Sequence, residues 1–146
     1  MRWMMLLAAL ASGCGGDDPA DKLQGKWIGE TTSTCLSALG FVGGEFEQDL
    51  ICQLPGGSFG LAATTGTFTA DGGSLRFTAA KTTCPATAQR GWGVNFKLDG
   101  DVLTLITTGG LVTLSRLREM PTGGATATFG CFDQGGAFTA APLQGL

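Results

Sequence analysis

Five cysteines and three closely spaced carboxylates are the side chains of this sequence with the most chemistry open to them. The thiols of Cys14, Cys35, Cys52, Cys84 and Cys131 can be acylated, paired as disulfides or used as metal ligands. Glu45, Glu47 and Asp49 recur at every second position, a spacing that sets carboxylates ~7 Å apart along one strand face. Such a row suits weak Ca²⁺ ligation or the paired acid and base of glycoside hydrolysis. It equally suits a solvated edge strand, where charge prevents strand-to-strand association, and that is the reading we expect. The chain has no His, which removes Ser-His-Asp and Cys-His nucleophile pairs and the usual His-containing zinc sites. No metal or other cofactor and no catalytic constellation is therefore expected. Nine Lys and Arg stand against twelve Asp and Glu, for a net charge of −3, and the basic residues are scattered singly. That pattern offers no footprint for a nucleic-acid backbone.

The first of the five thiols has a distinctive setting. Arg2 precedes an apolar run from Trp3 to Leu10, and the small residues Ala11-Ser12-Gly13 lead directly into Cys14. The run is too short for a transmembrane helix, which needs ~20 apolar residues. Leu10-Ala11-Ser12-Gly13-Cys14 resembles the lipobox of bacterial lipoproteins, with Ala11 standing where that family usually has Leu. The resemblance implies that residues 1–13 are a signal peptide and that Cys14 becomes the acylated first residue. Residues 14–22, with Gly15-Gly16-Asp17-Asp18-Pro19, read as a tether to a domain over 23–146. The membrane is then a partner through the lipid alone, because no polybasic patch adjoins the anchor. By the sorting pattern of the same family, Gly15 implies the outer membrane rather than the inner one.

Removal of Cys14 leaves an even number of cysteines in a chain read as exported, and two disulfides follow. A four-Cys metal site is the rival, but no pair shows C-x(2–4)-C spacing, and without C-x-x-C there is no redox motif. With strands running alternately up and down, the ends carrying Cys52 and Cys84 fall together. This gives Cys52–Cys84 and, by elimination, Cys35–Cys131 as the expected pairs.

The elements that must position these residues are strands. Nineteen Thr are interleaved with Phe, Leu, Val and Ile at period two, and no long stretch has helical periodicity. The expected strands are 24–35, 45–53, an irregular piece over 57–63, then 64–70 and 74–80 joined through Asp71-Gly72-Gly73. A meander over 91–118 turns at Asp99-Gly100 and Gly109-Gly110, and closing strands lie in 125–132 and 137–139. The Gly40–Gly44 and Pro55-Gly56-Gly57 stretches lack the helix and Lys-Ser/Thr of a phosphate cradle and are read as turns. About eight short antiparallel strands in hairpin order favour an all-β, small up-and-down barrel over a sandwich. Its expected core is Trp27, Phe46, Phe68, Phe77, Trp92, Phe96, Leu103, Leu105 and Phe129.

Gly25-Lys26-Trp27 opens the first strand of this domain and resembles the Gly-x-Trp signature of lipocalins. The resemblance implies that Trp27 closes the barrel base under an Arg from the last barrel strand. Arg116 and Arg118 are the candidates, and Arg116 is preferred for its alternation with Leu117. The second lipocalin motif, Thr-Asp-Tyr, is ruled out in a chain without Tyr. An eight-stranded barrel either fills with its own side chains or holds one small ligand, and the abundance of Phe and Leu favours filling. The sequence therefore points to a non-enzymatic envelope lipoprotein acting as a structural or interaction module. A lipocalin-type binding protein for a small apolar ligand is the alternative.

Overall fold

The computed structural model describes residues 18–117 and 127–146. Asp18 accepts a hydrogen bond from the Ala20 backbone N–H, and Pro19 supplies the preset φ of a first helical position, so one helical turn forms over Pro19–Leu23 (α1). The end of the expected tether is thus structured, and Leu23 is fully buried beneath the barrel.

Eight strands follow in hairpin order: β1 (Gly25–Glu30), β2 (Cys35–Val42), β3 (Glu45–Gln53), β4 (Phe59–Asp71), β5 (Ser74–Thr82), β6 (Gly91–Asp99), β7 (Val102–Thr107) and β8 (Gly110–Leu117). Each pairs antiparallel with the next, and β8 pairs with β1 to close the barrel. The tight turns after β4 and β6 place Gly72 and Gly100 at φ near +58° and +57°, which only glycine adopts without strain. Closure gives every barrel strand a neighbour on both sides.

Among the described residues, three strands lie outside the barrel: β9 (Ala127–Phe132), β10 (Phe138–Ala140) and β11 (Gln144–Gly145). β9 runs parallel to the first residues of β4, β10 pairs back on β9, and β11 pairs with the end of β5. The last strands therefore do not close the barrel against the first, contrary to the sequence expectation. Phe129, expected in the core, is 48% exposed because it lies on this external ribbon.

The expected disulfide pairing is also corrected. Cys35 bonds Cys52 and Cys84 bonds Cys131. Residues 24–35 are not one strand: the chain turns at 31–34, so Cys35 begins β2 instead of ending β1. One extra reversal puts Cys35 directly across from Cys52, with Cα atoms 4.1 Å apart. Cys131 on β9 then reaches Cys84 in the segment after β5. Two such bonds mark a chain that matures outside the reducing cytoplasm.

The core gathers at one end. Phe41 packs on Phe68 with centroids 4.6 Å apart, Phe46 meets Phe77 edge-on at 4.8 Å, and Phe77 stacks on Trp92 at 5.2 Å. Trp27, Leu23, Leu75, Leu103 and Leu114 complete the same cluster.

Candidate functional site

The aromatic cluster is sealed from below by a clamp built on Gly25, Trp27 and Arg116. Trp27 is fully buried, and its indole N–H donates to the Leu23 carbonyl at 2.9 Å. The Arg116 guanidinium lies over the indole at 4.2 Å from the ring centroid. Its edge is occupied as well: Nη1 donates to the Gln24 carbonyl, Nη2 donates to that of Lys22 at 2.9 Å, and Nε faces the Asp101 carboxylate at 3.2 Å. Gly25 sits at φ +112°, and a Cβ there would stand 3.1 Å from Arg116 Nη1. The Gly-x-Trp pattern thus has a local physical cause, namely room for the guanidinium above the indole. Gln24 ties the clamp to the β2–β3 turn, accepting from the Gly43 N–H at 2.7 Å and donating to its carbonyl at 2.9 Å. Arg118 and Cys14 lie outside the described residues.

The opposite end is open. A cavity of about 840 Å³ enters between the turns that carry Thr31 and Thr108 and the loop that carries Gln89. Leu39, Leu75, Val94, Leu105, Val112 and Leu114 line it, with Phe77 and Trp92 of the aromatic cluster. The expectation of a filled barrel is therefore corrected. The large residues are not spread along the axis, since Phe41, Phe46, Phe68 and Phe96 all belong to the buried cluster and none lines the cavity. The mouth half is left with shorter side chains such as Ser37, Val94 and Val112. A smaller recess of about 310 Å³ shares Ser37 and Gln48 with the main cavity and adds Leu50, Ala62, Thr64 and Thr82. These residues carried no sequence signal beyond their place in a period-two pattern.

The three carboxylates do not form the expected solvated edge. β3 is an interior strand, paired along its length with both β2 and β4. Glu45 and Glu47 remain exposed, but Asp49 is only 4% exposed, between Ala38 and Ala63 of the flanking strands. Its Oδ1 is buried without a hydrogen-bond partner. Burial raises the Asp49 carboxyl from 3.8 to about 7, assisted by the charge and hydrogen bonding of Glu47 and opposed by Lys26. Among the described residues, no group of three or more Cys, Asp and Glu side chains is arranged to hold a metal ion.

Fold and site together define the chain as an eight-stranded up-and-down barrel, closed at one end and hollow at the other. Comparison with family models, with curated proteins and with solved structures finds no match to it.

Proposed function

We propose that this protein is an exported lipoprotein, anchored through Cys14, whose barrel binds a small apolar molecule in the manner of a lipocalin. One observation carries the reading: the cavity of about 840 Å³, which lies within the ~300–1,000 Å³ range of small-molecule sites. The cavity moves the expectation from a filled structural module to a binding barrel. The Gly25–Trp27–Arg116 clamp supports the lipocalin resemblance at the closed end. The lipobox at Leu10–Cys14 and the two disulfides support an envelope location, with Gly15 favouring the outer membrane by the lipoprotein sorting pattern.

Nile red titration of the full-length protein tests the reading. Saturable, blue-shifted emission is expected at one probe per chain. It should be lost in Leu105→Trp and Val94→Trp, each of which places a large ring in the cavity while circular dichroism reports an intact β fold. Absence of saturable binding, or binding unchanged in both variants, would overturn it.

A further inference from the structure

The cavity is not uniform around the barrel axis. One arc, built from β5, β6, β7 and β8, presents Leu75, Phe77, Trp92, Val94, Leu105 and Val112, and its uncharged polar residues are already engaged, Ser74 with Asn95 and Thr107 with the Gly110 carbonyl. The other arc belongs to β2, β3, β4 and the end of β5, and there Ser37, Gln48, Thr64 and Thr82 line the adjoining recess. Leu39, paired with Gln48, lines the cavity on this side, and Leu50 and Ala62 line the recess, so this wall is mixed rather than wholly polar. In a closed barrel these two arcs face each other across the axis.

The polar arc has hydrogen-bonding capacity to spare. Thr82 is engaged, with its hydroxyl 3.0 Å from that of Thr64 and accepting from the Cys84 backbone N–H at 3.1 Å. Ser37 and Gln48 line both the cavity and the recess, and among the described residues neither side chain has a protein hydrogen-bond partner. A hydroxyl and a carboxamide donate and accept alike, so they match hydroxyl or carbonyl groups and not a fixed charge.

Among the described residues, the charged side chains that border the cavity or the recess are Arg76 and Asp49, and neither is placed to meet a charge inside. Arg76 contributes to the wall, but it is exposed, alternates with the buried Leu75 and Phe77, and lies over Gly93 on the outer surface. Asp49 borders the recess with its Oδ1 fully buried. Arg116 is engaged by Trp27, two backbone carbonyls and Asp101 beneath the aromatic cluster. An ionised group carried into the chamber would lose water and gain no partner.

We infer that the occupant of the chamber is an uncharged, facially amphipathic molecule, apolar over one broad side and bearing hydroxyl or carbonyl groups along the other. The inference rests on the binding reading above and specifies its ligand class. The apolar side lies on Trp92 and the aliphatic residues of β6–β8, and the polar edge meets Gln48 and Ser37.

Four probes with one ring system separate the contributions: naphthalene, 2-naphthol, 2-naphthoate and 2-naphthylmethylammonium, measured by equilibrium dialysis against the full-length protein at pH 7. The expected order places 2-naphthol about three- to tenfold above naphthalene, the gain from one hydrogen bond. Both ions should fall at least about tenfold below 2-naphthol. Gln48→Leu, at an exposed position, should bring 2-naphthol down to the level of naphthalene while circular dichroism reports an intact β fold. If either ion binds as tightly as 2-naphthol, the ligand class is wrong while the binding reading stands. The class also falls if both Gln48→Leu and Ser37→Ala leave the preference for 2-naphthol intact. Failure of all four probes, naphthalene included, would remove the binding reading and the ligand class with it.

Discussion

A carboxyl group set between two alanines has little with which to share a charge, and Asp49 occupies that position between Ala38 and Ala63. Its value of about 7 in the folded chain lies above the ordinary 3.8, so the folded state holds the proton more firmly than the unfolded one. The stability this contributes is fully present below pH 3.8 and is lost as the pH rises through 7. Over that window the loss amounts to at most ~4 kcal/mol, at ~1.36 kcal/mol for each pH unit. Asp49→Asn removes the titration. Urea denaturation should therefore show Asp49→Asn more stable than the parent at pH 8.5, with the gap shrinking towards pH 4. A gap that stays constant with pH would refute the buried-acid account. Sequence alone assigned Asp49 to the same wet row as Glu45 and Glu47, because spacing reports the strand face and not what covers it.

At the scale of elements, the two disulfides do different work. Cys35–Cys52 spans 17 residues within the β2–β3 hairpin, and Cys84–Cys131 spans 47 and ties the β9–β10 ribbon to the segment after β5. Loop entropy alone assigns them ~3 and ~4 kcal/mol. Non-reducing peptide mapping should recover these two pairs and no others. Hydrogen exchange on the Cys84→Ser/Cys131→Ser variant should show faster exchange in β9 and β10, with barrel strands still protected. Loss of protection throughout the barrel would mean that the ribbon is part of the folding core. The meander β6–β8 was legible because Trp92, Val94, Phe96 and Leu98 alternate cleanly before the Asp99-Gly100 turn. β2 was not legible, because Ala38 and Leu39 are both buried and the alternation disappears. The Thr-rich turn at 31–34 meanwhile has strand-like composition. That single missed reversal misdirected the disulfide pairing, although the barrel class survived it.

For the molecule as a whole, the hollow could not be read from composition, since nine Phe suggest a full interior wherever they are placed. Only the register shows that five of them, Phe41, Phe46, Phe68, Phe77 and Phe96, crowd beneath the chamber, while Phe129, Phe132 and Phe138 lie on the external ribbon. The proposed anchor is tested separately: Cys14→Ser should release the protein from the membrane fraction or leave it unprocessed, as read by fractionation and the mass of the mature chain. A variant that matures normally and stays membrane-bound would exclude lipidation at Cys14. The position of α1 then has a further consequence. It enters at the base, under Trp27, while the mouth opens at the far end. From Asp18 back to Cys14 the backbone extends at most ~14 Å, less than the roughly 20 Å height of a barrel with strands of this length. If Cys14 carries a lipid, a leash so short would hold the base near the bilayer like a cup tied by its foot, and the barrel could not turn over to set its rim on the membrane. Cargo would then arrive from across the water gap or from a second protein docking on the rim, and the membrane holding the cup would be the surface least able to fill it.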